Sequence, residues 1–173
     1  VNDTVVHGIP DNYKLKNGDI ITIDVVIGYK GYQGDAAWTY AVGKIDENKK
    51  YLMEHTEQAL YEGIKMVKPG NRIGDISHAI SEVSKLYNLS IVKEVSGHGI
   101  GKKIHEEPDI LNYGIEGSGE ELQEGMVLAI EPVFAVLRGE VEMIDDWTIE
   151  TVDNSSTAHY EHTVVVTKDG YEI

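Results

Sequence analysis

Asp24, Asp35, His98, Glu131 and Glu161 are four carboxylates and one imidazole spread over most of a 173-residue chain. Each stands in a segment that reads as a strand or a strand end. Such a set suits a pair of hard-to-borderline divalent cations, because four negative charges cannot share a small volume without positive ones between them. The first two acids lie close in sequence. Residues 20–27 are rich in β-branched side chains, Gly28-Tyr29-Lys30-Gly31 reads as a tight turn, and residues 32–42 run back. With Tyr29-Lys30 as a two-residue loop, Gly28 pairs with Gly31 and Asp24 falls directly opposite Asp35. Opposed carboxylates on one face repel unless one holds a proton or a cation joins them. The alternative is a pair of solvated strand-face aspartates.

In the second half, Glu131 interrupts the apolar run 127–136, and Pro132 holds it in extended geometry. A glutamate buried there without a partner is either strongly destabilising or protonated. Glu161 precedes Thr163-Val164-Val165-Val166, and strand alternation puts His159, Glu161 and Thr163 on one face. A buried salt bridge is the competing explanation for both glutamates, although only 15 Lys+Arg are available to make one. His98 lies between Gly97 and Gly99, with Gly101 beyond. Glycines let the backbone crowd a site. His105 follows in Ile104-His105-Glu106-Glu107-Pro108, where Pro108 suggests a turn.

The elements that must position these residues follow from periodicity. Residues 1–6 read as a strand. Asp46 caps a helix predicted over 49–67, with Leu52, Thr56, Ala59, Leu60, Ile64 and Val67 as its apolar stripe and Pro69-Gly70 as its stop. A second helix is predicted over 73–87, with Ile73, Ile76, Ala79, Ile80, Val83 and Leu86 on one face and Asn88 as terminator. His55 and His78 fall on these helices as ordinary surface or boundary residues. Residues 126–136 read as one buried strand, and 147–152 with 159–167 as a closing hairpin. Strands, two helices, then strands is an α+β order rather than an alternating one.

Composition allows one domain with a proper core. There is no cysteine, which excludes disulfides and thiolate metal sites and fits a reducing cytoplasm. A net charge of −15 disfavours nucleic acid and anionic membranes and favours cationic partners, including metals and the free ammonium of a peptide. No stretch approaches the length of a membrane span.

The ordered motifs Val6-His7-Gly8-Ile9-Pro10, Asn17-Gly18-Asp19-Ile20 before Asp24, Gly34-Asp35, Gly97-His98-Gly99-Ile100-Gly101, His105-Glu106-Glu107-Pro108, Ile130-Glu131-Pro132, Asp146-Trp147-Thr148 and Tyr160-Glu161-His162-Thr163 span nearly the whole sequence. Together they resemble the methionine aminopeptidases, specifically the bacterial type I form. The resemblance implies the pita-bread α+β fold, a curved antiparallel sheet backed by helices, as one catalytic domain over residues 1–173. It implies removal of N-terminal methionine from peptides or nascent proteins with two divalent ions (Mn, Fe, Co or Zn) as cofactors. Asp24 would hold one ion, His98 and Glu131 the other, and Asp35 and Glu161 both. Glu131 would also relay a proton to the leaving amine. His7 and His105 would contact the substrate amide and the tetrahedral intermediate, and Ile104 and Trp147 would line the pocket for the N-terminal side chain.

Three departures stand out. Family members carry a helical N-terminal arm ahead of the His7 segment that this sequence does not include. Ile104 replaces a usual aromatic residue, and His159 replaces a usual glutamine. The expectation is retained metal binding, reduced methionine selectivity or activity, and self-association through the face the arm would cover. The rival enzyme of the same fold is an Xaa-Pro peptidase, and the rival of another class is a non-catalytic peptide-binding module. The compact interval between His98 and Glu131 argues against the type II form.

Overall fold

The computed structural model describes all of residues 1–173. Strand β1 (Thr4–Val6) precedes a long hairpin, β2 (Ile20–Tyr29) and β3 (Tyr32–Ala41), and then helices α1 (Glu47–Ile64) and α2 (Ile73–Tyr87). Short strands complete the chain: β4 (Ser90–Ile91), β5 (Ser96–Gly99), β6 (Glu106–Leu111), β7 (Val127–Ile130), β8 (Val133–Ala135), β9 (Val141–Met143), β10 (Ile149–Thr151), β11 (Thr157–His159), β12 (His162–Val166) and β13 (Tyr171–Glu172). They form a five-stranded sheet in the order β13-β12-β7-β5-β6, three-stranded sheets β1-β10-β9 and β11-β8-β4, and the β2-β3 pair. The main core lies between the helices and these sheets, where Leu52, Leu60, Ile76 and Ile80 meet Leu128, Ile130, Phe134 and Tyr160.

The helices follow local rules closely. The Asp46 side chain accepts the Lys49 N–H at 3.0 Å and starts α1, which ends at Ile64, three residues before the predicted stop. Helix α2 has the predicted bounds. The Arg72 N–H donates to Asp75 Oδ2 at 2.7 Å at its start, and Asn88 ends it in the left-handed region at φ 51°. One member of its stripe is misplaced: Leu86 is 72% exposed. At 3.6 residues per turn it lies about 120° from Ile80, and Ser77, Ser81 and Ser84 fill the buried face instead.

The strands depart from the sequence reading in four places. Tyr29 pairs with Tyr32, so the loop is Lys30-Gly31, both at positive φ (50° and 83°). A two-residue loop matching the strand twist needs positive φ at both positions, and glycine meets that demand best. Asp24 therefore pairs with Ala37 and Asp35 with Val26. The shift preserves parity, and the two aspartates remain diagonal neighbours on one face. Second, the run 126–136 is two strands in different sheets, parted at Glu131-Pro132, because Pro132 has no N–H to continue a ladder. Third, residues 147–152 and 159–167 do not pair as the expected hairpin. Strand β10 pairs with β1 and β9, β11 with β8, and β12 with β7 and β13. Fourth, Pro108 lies inside β6 rather than at a turn; β6 is an edge strand, where a missing donor is tolerated.

A short seam joins the hairpin to the sheets and brings the chain's first acids to its last. The Thr163 hydroxyl accepts from the Asp35 N–H and donates to the Asp35 carbonyl, both at 2.8 Å. The Glu161 N–H donates to the Ala37 carbonyl at 2.8 Å. The Thr39 hydroxyl accepts from the His159 N–H and donates to the His159 carbonyl, both at 2.9 Å. Residues 35, 37 and 39 thus face 163, 161 and 159 in antiparallel register, with threonine hydroxyls replacing backbone bonds at both ends.

The base of the hairpin is tied down by Asp19, which is 7% exposed. Its carboxylate accepts from Asn2 Nδ2 at 2.9 Å, the Tyr13 hydroxyl at 3.0 Å and the Lys16 N–H at 2.8 Å. These bonds, the Asn2 one first, hold its pKa below the ordinary value. A carboxyl with a depressed folded pKa contributes stability above its unfolded pKa of about 3.9, and that stability is lost as pH falls through the folded value. Asp19→Asn is expected to lower the melting temperature near neutral pH by roughly 3–6 °C, for about 1–2 kcal/mol of lost charged hydrogen bonding. The deficit narrows below about pH 4. Melts of both proteins across this range test it; a deficit that is constant with pH contradicts it.

Candidate metal centre

Four acids from four separated segments converge in one place. One ligand atom each from Asp35, His98 and Glu161 lie within 4.8 Å of one another, and all three residues are buried. Glu131 adjoins them, with Oε1 3.3 Å from His98 Nε2. Asp24 reaches the cluster through Asp35, whose carboxyl is close enough to share a proton with it. All five predicted residues are therefore brought together.

Local structure explains each placement. Hairpin parity turns Asp24 and Asp35 to the seam side. His98 rides on β5 between two glycines that the packing requires: a Cβ on Gly97 would overlap the Ala129 carbonyl, and one on Gly99 would overlap the Glu107 carbonyl. His98 Nδ1 lies 2.9 Å from the Gly99 carbonyl. A carbonyl only accepts, so Nδ1 carries the hydrogen and the Nε2 lone pair faces the acids. That is the tautomer a metal-binding imidazole uses. Glu131 occupies the break between β7 and β8, and Asn112 Nδ2 donates to its carbonyl at 3.1 Å. Glu161 sits between β11 and β12, held by the seam.

The electrostatics are those of a site built for cations. Burial is the largest cause that raises the carboxyl pKa of Asp24, Asp35, Glu131 and Glu161, and neighbouring acids push Glu131 and Glu161 further. Glu161 is pushed up to about 10. Burial lowers the pKa of His98, so its imidazole does not balance the acids. Every Lys or Arg ion pair lies on the surface, at Glu47, Glu62, Glu82, Glu121 and Glu140. The salt-bridge explanation for Glu131 and Glu161 therefore fails. Asp35 Oδ1 and Glu161 Oε1 are buried without a hydrogen-bond partner. Orphaned carboxylate oxygens beside a free imidazole lone pair are a donor set that fits divalent ions.

The remaining predicted residues lie around this cluster. The His105 ring meets His98 edge-on at 4.5 Å, from the exposed turn before β6. Ile104 is half-buried on the same turn. His7 follows β1 at a positive φ of 60° and lies near Asp24 and His159. Trp147 packs edge-on against His7 at 5.9 Å and is 62% exposed. Its turn is held by Asp145, which accepts from the Trp147 N–H at 2.7 Å and the Thr148 N–H at 2.6 Å.

A model of metallopeptidase family M24 matches residues 1–168. The chain belongs to that family. It is 48% identical over 174 residues to "Methionine aminopeptidase 1" of Bacillus subtilis, covering 100% of this chain and 70% of that one. The crystal structure of methionine aminopeptidase from Thermotoga maritima superimposes with a TM-score of 0.97 at 46% identity, covering 99% of this chain and 70% of that one. A prolidase from Pyrococcus furiosus is more distant, with a TM-score of 0.75 at 26% identity, covering 96% of this chain and 44% of that one. The fold of this M24 metallopeptidase is thus the pita-bread fold.

One residue beside these acids entered the sequence reading as a face-mate of Glu161 and as a departure from the family, without a role. His159 is 2% exposed, and its Nε2 stands 3.6 Å from Glu131 Oε2 and 3.9 Å from Glu161 Oε2. Strand alternation with Glu161 was the signal that placed it.

The buried acids have a consequence for pH. In the metal-free fold Glu161 keeps its proton up to about pH 10, whereas unfolding restores its ordinary value of 4.5. Between those values the folded state binds more protons than the unfolded one, so metal-free stability falls as pH rises. Chelator-treated protein is expected to melt at progressively lower temperature from about pH 5 to about pH 9, and added Mn to flatten that slope. A metal-free melting temperature that is flat or rising over this range refutes the account.

Proposed function

We infer that the chain is a dinuclear metal-dependent aminopeptidase that removes methionine from the N-terminus of peptides or nascent proteins. The observation that carries this reading is the convergence of four acids and His98 without any Lys or Arg partner, in a chain of this family. We propose that residues 1–173 act as one catalytic domain in the cytoplasm. No helix is long and apolar enough to cross a membrane.

The residues would share the work as follows. Asp24 would hold one cation, His98 and Glu131 the other, and Asp35 and Glu161 would reach both. Bound there, the cations would supply the positive charge that acidifies a water and polarises the scissile carbonyl. Glu131, held protonatable by burial and neighbouring acids, would accept a proton during attack and return it to the leaving amine nitrogen. His105 and His7, on two sides of the cluster, would donate hydrogen bonds to the substrate amide and to the oxygen on which negative charge develops. Trp147 and Ile104 would border the pocket for the N-terminal side chain. Excess negative charge around the site would attract the substrate ammonium.

His105→Ala is expected to lower kcat by about 10²–10³ with a smaller change in KM, the range for losing one such donor. Methionine release from a Met-Gly peptide, with metal and after chelation, measures it. Faster cleavage of Xaa-Pro than of Met-Gly peptides would assign the prolidase-type activity instead. Two bound ions with no release from any peptide would assign a non-catalytic module.

The hairpin face opposite the acids is apolar. Ile23, Val25, Ile27, Tyr29, Tyr32 and Tyr40 share it, each at least 45% exposed. We propose that this face pairs with a second copy of the chain, since contiguous apolar surface tends to be covered. Light scattering at high concentration is expected to give a dimer mass that Val25→Lys returns to a monomer. A monomer in the unaltered chain refutes it.

A further inference from the structure

His159 is the ionisable side chain of the centre to which the roles above give no task. Its Nε2 is buried and has no hydrogen-bond partner. The nearest acceptors, Glu131 Oε2 at 3.6 Å and Glu161 Oε2 at 3.9 Å, lie beyond the roughly 2.7–3.2 Å of an N–H···O bond. Neither contact satisfies the nitrogen. Two atoms that each ligate one cation at about 2.0–2.2 Å stand roughly 3.0–3.5 Å apart. His98 Nε2 and Glu131 Oε1 already have that spacing, at 3.3 Å, and His159 exceeds it by only tenths of an ångström toward the second Glu131 oxygen.

The ring is aimed rather than loosely placed. Its backbone is gripped by the Thr39 hydroxyl, which bonds both the His159 N–H and its carbonyl at 2.9 Å. Because that hydroxyl hydrogen is committed to the carbonyl, Thr22 donates to Thr39 across the hairpin at 2.9 Å. The Tyr160 hydroxyl donates to the Thr39 carbonyl at 3.2 Å. On the other side, β11 pairs His159 with Val133, two residues past Glu131. The imidazole therefore projects from two fixed strands into the carboxylates.

We propose that His159 is a sixth protein ligand of the dinuclear centre, giving it two imidazoles beside four carboxylates. The inference rests on the dinuclear reading above and extends it. A second imidazole favours Zn, Fe and Co over Mn, because nitrogen donors suit the former and all-oxygen surroundings the latter.

The test is anomalous scattering from crystals of the zinc-loaded chain, paired with competitive Zn and Mn binding to the wild type and to His159→Gln. The expected result is two ions, with His159 Nε2 about 2.0–2.3 Å from one of them. His159→Gln is expected to bind both ions with its preference for Zn over Mn reduced about 10-fold or more. Two ions with His159 Nε2 more than about 3 Å from either overturn the sixth ligand and leave the dinuclear reading standing. An unchanged metal preference in His159→Gln likewise overturns it. Absence of bound ions overturns both. The wild-type crystal decides the ligand by itself if the variant fails to fold.

Discussion

Three carboxyl groups largely closed off from water, those of Asp35, Glu131 and Glu161, with an exposed fourth, Asp24, beside them, cannot all carry their charge unless positive charge joins them. Every notable feature of this chain's centre follows from that constraint. Without cations burial raises the carboxyl pKa of all four acids, Glu131 well above its ordinary value and Glu161 to about 10, and lowers those of the His98 and His159 imidazoles. No lysine or arginine is drawn in. The site is therefore costly as a piece of folded protein and makes sense only as half of a complex with metal.

Stability for such a site must come from elsewhere, and the architecture shows where. Two helices pack an apolar core against the sheets on one side of the acids. On the other, the seam between residues 35–39 and 159–163 holds Asp35, Glu161 and His159 by their backbones rather than by their charged ends. Asp35 Oδ1, Glu161 Oε1 and His159 Nε2 are left unpaired. Strand β5 is pressed so closely between its neighbours that only glycine fits on either side of His98. Such crowding removes the freedom that would let the imidazole turn away, and the Gly99 carbonyl then selects its tautomer. Rigidity in the shell around the ligands substitutes for attraction among them.

The hairpin shows how a two-faced strand pair serves two ends. Its even-numbered β2 positions and odd-numbered β3 positions carry Asp24 and Asp35 inward, while the alternate positions present isoleucine, valine and tyrosine outward. Period-two alternation makes these choices inseparable, so fixing the acids on one face commits the other to whatever covers it. That alternation also explains why a wrong loop position did no harm to the inferred site: moving the turn by one residue changes the pairing sum by two and keeps parity.

The α+β order and both helices were legible in the sequence, because caps, stripes and terminators act within a few residues of one another, and the five side chains that converge were marked by the motifs that carry the family resemblance. Asp46, Asn88 and the apolar spacing of α2 needed no knowledge of distant chain. The buried-acid anomaly at Glu131 and Glu161 was legible for a similar reason: a charge inside an apolar run is conspicuous wherever it folds. Only the tertiary structure decided how strands paired, which broke the expected run at Pro132 and dispersed the expected closing hairpin. It alone decided the tautomer of His98 and turned His159 from a sequence oddity into a ring facing two carboxylates. These depend on contacts such as Asp35 with Thr163, 128 residues apart, whose register is set by packing and the twist of neighbouring strands rather than by any local preference.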